Sequence, residues 1–416
     1  MRSALLLLAV AAASAQNFSD VKPSPQQVAW QDLEIGVLIH FGPNTFMDRE
    51  WGDGTADPKV FNPKQLDAEQ WVRAAKSAGA KYLIMVAKHH DGFCLWPSRH
   101  TAYSVKSSPW RDGKGDLVRE VEQAARKHGL QFGIYLSPWD RHEPSYKDNK
   151  AYDKYYRNQM RELVTRYGEL TEWWLDGAGS EGHVYDFDSY VDELRTYQPN
   201  TLIFADVGFL KYGDIRWVGN ESGHAPETNW NVIDRRGYLR YRPAEADTPL
   251  RKDHWFWHPN AESRLKSLPE LIDTYHRTVG RGAQLVLGLA PDDRGLLPEN
   301  DVKRLEEFGA ELRRLYAQPV ANVPTDVRFH QFPKPTPIDR AVLAERLEVG
   351  QRVAAYTIEV RDAAGQWKTV ADGATIGNKK IDLFPRITAS AVRATITRSF
   401  GEPQLRGIQL FDGAGR

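Results

Sequence analysis

Residues 172–177 read Glu-Trp-Trp-Leu-Asp-Gly, an apolar and aromatic run that ends in a carboxylate followed by glycine. Such a run reads as a buried strand, and the C-terminal end of a strand is where a parallel barrel presents its reacting groups. Asp176 is therefore a candidate nucleophile. The competing reading is that Asp176 only caps the following loop, as Asp-Gly pairs commonly do. A nucleophilic carboxylate acting on a glycosidic bond needs a second carboxylic acid opposite it, kept protonated to donate to the leaving oxygen. Glu221, in the glycine-flanked stretch Trp217-Val218-Gly219-Asn220-Glu221-Ser222-Gly223-His224, leads for that role, with Glu50, Glu181, Asp206 and Glu227 as competitors.

Two further groupings carry polar chemistry. His89-His90-Asp91 invites a metal reading, because imidazole is a common ligand of zinc-like ions. Adjacent strand residues point to opposite faces, however, and no HExxH, clustered Cys or dense carboxylate set accompanies the pair. Hydrogen bonding to substrate hydroxyls is favoured over a metal and over a packed or capping pair. Glu50-Trp51 sets a carboxylate beside an indole, one group for hydroxyls and one for the apolar face of a sugar. A surface loop with a partly buried Trp would look the same.

The elements that must position these groups alternate. Apolar runs at 35–41, 82–87, 132–136, 173–176, 202–204 and 284–288 read as strands, with apolar pieces at Ile215 to Val218 and Trp255 to Trp257. Between them lie helical periodicities, such as Trp71, Ala74, Ala75, Ala78 and Leu117, Val121, Ala124, Ala125, stopped by Gly79 and Gly129. Val302 to Leu315 reads as a closing helix. Several strands end in His, Tyr or Asp, which predicts an α/β fold, a (β/α)8-like TIM barrel with its site on one rim. A doubly wound sheet would alternate similarly but should show a glycine-rich phosphate turn after its first strand, and Phe41-Gly42-Pro43-Asn44 is not one. Pro319, Pro324, Pro333, Pro335 and Pro337 then mark a boundary, after which period-two alternation, as in Tyr356, Ile358 and Val360, predicts a small C-terminal β-sandwich. The expected domains are a barrel over 16–325 and a linker with sandwich over 326–416.

With 416 residues, the chain can bury a large core without disulfides or metals. Lys+Arg and Asp+Glu both number 55, a net charge of zero that gives no electrostatic argument for nucleic acid or an acidic membrane. The 13 Trp and 17 Tyr suit a neutral sugar ligand but also a large barrel core. Residues 1–15 carry one basic residue, an apolar run and Ala13-Ser14-Ala15, which reads as a secretory signal and predicts export to the periplasm or beyond. No stretch is long enough to span a bilayer. The single Cys94 excludes an internal disulfide and reads as packed.

Taken together, Ile39-His40-Phe41-Gly42, Glu50-Trp51, Lys88-His89-His90-Asp91-Gly92-Phe93, Gly133-Ile134-Tyr135 and Trp173-Trp174-Leu175-Asp176-Gly177 resemble the alpha-L-fucosidases of glycoside hydrolase family 29. The resemblance implies an exo-acting, retaining enzyme with Asp176 as nucleophile. It also implies that His40, Glu50, Trp51, His89, His90, Tyr135 and Trp174 hold the fucose ring. The implied substrates are fucosylated oligosaccharides or glycoconjugates, with no cofactor or metal. The Asn220-Glu221-Ser222 loop is similar to the acid/base region of the branch that prefers alpha-1,3- or alpha-1,4-linked fucose on branched glycans, and the tail from Ala341 resembles that branch's discoidin-like sandwich. In a retaining enzyme the two carboxyls should lie about 5–5.5 Å apart. Two alternatives stay open: a non-catalytic fucose-binding protein, and a retaining glycosidase for another sugar.

Overall fold

The computed structural model describes residues 17–205, 213–235, 238–324 and 328–414. The expected signal segment, residues 1–15, lies outside the described residues. Helix α1 (Pro25–Gln31) leads into β1 (Ile35–Ile39), followed by a short α2 (Pro43–Met47), α3 (Ala68–Ser77) and β2 (Tyr82–Lys88). Then come α4 (Leu117–Lys127), β3 (Gln131–Leu136), α5 (Asn149–Arg166), β4 (Glu172–Leu175), α6 (Phe187–Tyr197), β5 (Leu202–Ala205) and β6 (Ile215–Trp217). An antiparallel hairpin, β7 (Val232–Arg235) with β8 (Tyr238–Tyr241), precedes β9 (Ala244–Pro249), α7 (Leu268–Thr278), β10 (Gln284–Leu289) and α8 (Glu299–Tyr316).

Among the described residues, β1–β6, β9 and β10 close into an eight-stranded parallel barrel in which β10 returns to pair with β1. Ile39 lies opposite Leu289 on one side and Met85 on the other, which sets the level of the rim. Strands β1, β2 and β10 are buried along their whole length, as expected where helices cover the outer face and packed side chains fill the inner one. The helices start where the sequence can satisfy their free N–H groups. Asp67 caps α3 by accepting from Gln70, Asp116 caps α4 by accepting from Arg119, and Ser267 with Glu270 forms a reciprocal capping box at α7. Gly79 and Gly129, at φ 95° and 76°, release the chain after α3 and α4 into the next strand.

The eighth barrel strand is not where apolar character pointed. Trp255 to Trp257 forms a loop over the rim, and the strand is β9, Ala-Glu-Ala-Asp-Thr-Pro, buried throughout and paired with β6 and β10. Its polarity is accommodated because Glu245 and Asp247, two residues apart and so on one face, each accept a hydrogen bond from an indole inside the barrel.

Beyond α8 the chain forms β11 (Ala321–Pro324), β12 (Phe329–Glu345), β13 (Val353–Asp362), β14 (Trp367–Gly373), β15 (Lys380–Ser399) and β16 (Leu405–Phe411). These make one six-stranded antiparallel sheet in the order β11-β16-β12-β15-β13-β14 around its own apolar core. The long pair β12 and β15 carries register shifts, at Gln331/Thr336 and Ile338/Arg340, which let a continuous sheet curve as two layers would. This sheet is built into the barrel's flank and base. Val342, Ile381 and Phe411 join the barrel's main core; Asn378 donates to the Gln31 carbonyl at 2.8 Å, and Lys379 pairs with Glu34.

Candidate active site

A cavity of about 510 Å3 opens at the C-terminal ends of the strands, and every predicted site residue lines it: Asp176, Glu221, His40, Glu50, Trp51, His89, His90, Tyr135 and Trp174. Asp176 follows β4 directly. Its Oδ1 accepts from the Ala178 backbone N–H at 2.9 Å and its Oδ2 from the Tyr135 hydroxyl at 3.1 Å. Burial raises the Asp176 pKa, and these two donors oppose the rise by favouring the charged form. The arrangement gives an aimed carboxylate with one oxygen fixed by the backbone and the other tempered by a phenol.

Three imidazoles stand beside it. His40 and His90 are pushed down to about 3, and His89 well below its usual value, each chiefly by burial, so all three rings are neutral at ordinary pH. The 3.5 Å approach of His90 Nε2 to Asp176 Oδ2 is therefore a contact between a neutral ring and a carboxyl, not an ion pair. The Ser137 hydroxyl donates to the Trp139 carbonyl at 2.7 Å and so is left to accept from His90 Nδ1 at 2.8 Å. With Nδ1 engaged by Ser137, Nε2 is the ring nitrogen turned toward Asp176 and the cavity, within reach of a substrate hydroxyl. His40 Nδ1 and His89 Nδ1 are buried without a protein partner, and the rings lie 5.5 Å apart between Tyr135 and Phe256.

Glu50 serves the loop above the site. Its Oε2 accepts from the Trp255 backbone N–H at 3.0 Å, while Oε1 accepts from the Phe256 N–H at 3.2 Å and meets His258 Nε2 at 2.6 Å. Most of its accepting capacity is thus committed to holding residues 255–258 over the rim. Trp51 is 52% exposed and stands edge-on to His90 and Trp139, each 5.5 Å away, as an aromatic lip. Gly179, at φ 70°, passes so close to Trp139 that a Cβ there would lie 2.0 Å from the indole. Trp174 stacks flat on Phe204 at 4.0 Å and gives its indole N–H to Glu245 at 2.8 Å, which leaves only ring surface for the cavity.

Glu221 lies on the loop after β6. Its pKa is raised by partial burial and by the charges of Asp176, Glu50 and Asp253, and is held back by a hydrogen bond from the Trp255 side chain. Among its competitors, Glu181 also lines the cavity, Glu50 is engaged as described, and Asp206 lies outside the described residues. Glu227 faces the C-terminal sheet, where its charge acts on Tyr356 and Asp382. Sequence reasoning missed Trp139, Phe204, Trp217, Asp247 and Trp255 as lining or framing residues. Trp217 donates to Asp247 at 2.5 Å, and burial raises that carboxyl well above its usual range. The strand-end position of Phe204 and Trp217 was a usable signal; Trp255 sits in a loop whose path only the Glu50 contacts reveal. Among the described residues, no group of three or more His, Cys, Asp or Glu side chains could hold a metal ion, and no helix is long and apolar enough to cross a membrane.

A closed parallel barrel with two carboxyls, neutral imidazoles and indole faces around a sugar-sized cavity has the architecture of a barrel glycoside hydrolase. The alpha-L-fucosidase family profile matches residues 7–315. Alpha-L-fucosidase 1 of Arabidopsis thaliana is 36% identical over 447 residues, spanning 94% of this chain and 87% of the plant protein. A glycoside hydrolase family 29 member from a rumen bacterium shares 36% identity at a TM-score of 0.89, covering 96% of this chain and 79% of that one. A family 29 fucosidase of Ruminococcus gnavus, solved in complex with fucose, superposes at a TM-score of 0.87 with 28% identity over 97% of both chains. The chain belongs to the alpha-L-fucosidase family, and its activity is hydrolysis of alpha-L-fucosides on fucosylated glycans.

Proposed function

We propose that this fucosidase works by double displacement with retention, using Asp176 as nucleophile and Glu221 as acid/base. The observation that carries the reading is that these two carboxyls line one cavity and that burial raises both pKa values, with the Asp176 charge contributing to the rise at Glu221. In the first step an Asp176 oxygen bonds to the anomeric carbon as the C1–O bond to the aglycone breaks, and protonated Glu221 gives its proton to the departing oxygen. In the second step Glu221, now a carboxylate, takes a proton from water. The water oxygen attacks C1, the bond to Asp176 breaks, and alpha-fucose is released. His40, His89, Nε2 of His90, and the ring faces of Trp51 and Trp174 hold the sugar, with Glu50 positioning the loop that covers it.

The reading extends to alpha-1,3- and alpha-1,4-linked fucose on branched glycans, supported by the Asn220-Glu221-Ser222 loop, and to an exported protein whose mature chain begins at Gln16. Initial rates on an aryl alpha-L-fucoside, a linear alpha-1,2-fucosylated oligosaccharide and a Lewis-type trisaccharide test the linkage: cleavage chiefly of the trisaccharide supports it, and efficient cleavage of the linear sugar removes it. Proton NMR of the first-formed product tests the mechanism, since release of beta-fucose would exclude retention. Asp176→Ala should abolish turnover while leaving the melting temperature near the parent's; retained activity would remove Asp176 as nucleophile.

A further inference from the structure

Strand β9 reaches across the barrel interior to β4 through a carboxyl that the mechanism does not use. Glu172 and Trp174 stand two residues apart on β4, and so on one face, and Glu245 of β9 meets both. Glu245 Oε1 accepts from the Trp174 indole N–H at 2.8 Å, and Glu172 Oε2 accepts from the Trp30 indole N–H at 3.0 Å. Both carboxyls are completely buried, against an apolar cluster that includes Trp30, Tyr82 and Trp174. Their remaining oxygens, Glu172 Oε1 and Glu245 Oε2, lie buried without a donor from the protein, and the two carboxyls are within hydrogen-bonding reach of each other. We infer that Glu245 Oε2 carries a proton and donates it to Glu172 Oε1, and that this closed pair positions Trp174 as a wall of the fucose pocket. The inference rests on Trp174 holding the sugar.

A carboxylate only accepts, so two ionised carboxyls in contact would leave both of these oxygens without a donor and set two like charges side by side in an apolar interior. One proton between them removes both penalties. The groups acting on the pair are the two indoles, each other and the Tyr82 hydroxyl, with no Lys, Arg or His among them. A bond from Tyr82, whose own hydroxyl is unpaired beside Glu245, would still leave Glu172 Oε1 without a donor. Burial raises both carboxyls, and the Glu172 charge raises Glu245 further, which puts the proton on Glu245. The effect reaches the pocket through one ring. Trp174 is fixed on its face by Phe204, stacked 4.0 Å away, and at its nitrogen by Glu245. Glu245 is held in turn by Glu172, and Glu172 by Trp30 of α1, so a line of hydrogen bonds runs from the first helix to the sugar site.

The test uses the full chain with Glu245→Met, which keeps the bulk and removes the acceptor, and Glu245→Gln, whose amide can both accept from Trp174 and donate to Glu172. On an aryl alpha-L-fucoside, Glu245→Met is expected to raise KM at least about fivefold with kcat within about twofold of the parent, the pattern of lost binding shared by ground and transition states. Glu245→Gln should keep KM within about twofold of the parent. In the infrared difference spectrum between the parent and Glu245→Gln at neutral pH, the parent should show the carbonyl stretch of a protonated carboxylic acid. A parent KM in Glu245→Met would overturn the positioning role. A difference spectrum carrying only carboxylate bands would overturn the shared proton, even if the Met variant does not fold. Trp174→Ala is run alongside: if it keeps the parent's KM, Trp174 does not hold the sugar, and the reading of the pocket has failed, whatever the spectrum of the pair shows.

Discussion

Tyr135 and His90 both touch Asp176, and they act on different quantities. The Tyr135 hydroxyl donates to Asp176 Oδ2 and so stabilises the ionised form needed for attack. In Tyr135→Phe that support is lost, the Asp176 pKa rises further, and the acid limb of kcat/KM moves to higher pH. A hydrogen bond to a charged group is worth about 1.5–3 kcal/mol, so the limb should shift by about one unit or more, read from the pH profile on an aryl fucoside. His90 acts on stability instead. Its folded pKa of about 3 lies below the ordinary value of 6.5, so the unfolded chain binds a proton that the folded one refuses as pH falls between those values. Relative to the parent, His90→Gln should therefore gain stability on acidification, by up to about 1.4 kcal/mol per pH unit below 6.5, measured as the difference in denaturation midpoints at pH 7 and pH 5. A difference that does not change with pH would mean that the ring titrates normally in the fold.

At the scale of elements, the loop over the rim depends on Glu50. Glu50→Gln replaces one acceptor oxygen by an NH2 that confronts backbone donors, so the amides of Trp255 and Phe256 should exchange hydrogen at least about tenfold faster, with a raised KM. Unchanged protection would show that the loop is held by packing alone. Glu50 also shows how far sequence carries. Its place at the site was legible from the Glu-Trp pair on the loop after β1, but its hydrogen bonds to residues about 200 positions away were not, because no local pattern encodes a contact made only by barrel closure. The strands β1, β2, β3, β4 and β10 were legible because burial on both faces leaves an unbroken apolar run. Strand β9 was not, since its inward residues are carboxyls satisfied by Trp174 and Trp217, partners that lie on other strands. The nearby Trp255 to Trp257 drew attention instead, having apolar side chains without a strand's backbone partners.

At the scale of the molecule, the C-terminal sheet is part of what stabilises the barrel. Val342, Ile381 and Phe411 are buried in the barrel's own core, and side chains of this size contribute roughly 1.5–3 kcal/mol each. Losing all three would remove about half the stability of an ordinary domain. A chain ended after Tyr316 should therefore be insoluble or melt far below the full protein, although the lining residues of the fucose pocket all precede that point. Recovery of a cooperative, active truncated barrel would show that the sheet is dispensable.

The contacts of Asn378 with the Gln31 carbonyl and of Lys379 with Glu34 set the order in which the molecule can be finished. The base of the barrel, begun at Gln31 and Glu34, is completed by Asn378 and Lys379 of the C-terminal sheet. The two pairs lie 347 and 345 residues apart along the chain, so the barrel floor stays open until the C-terminal sheet is in place. Closure of the barrel floor is thus a contact of very long sequence separation, and the first helix keeps an open face until the C-terminal sheet docks on it.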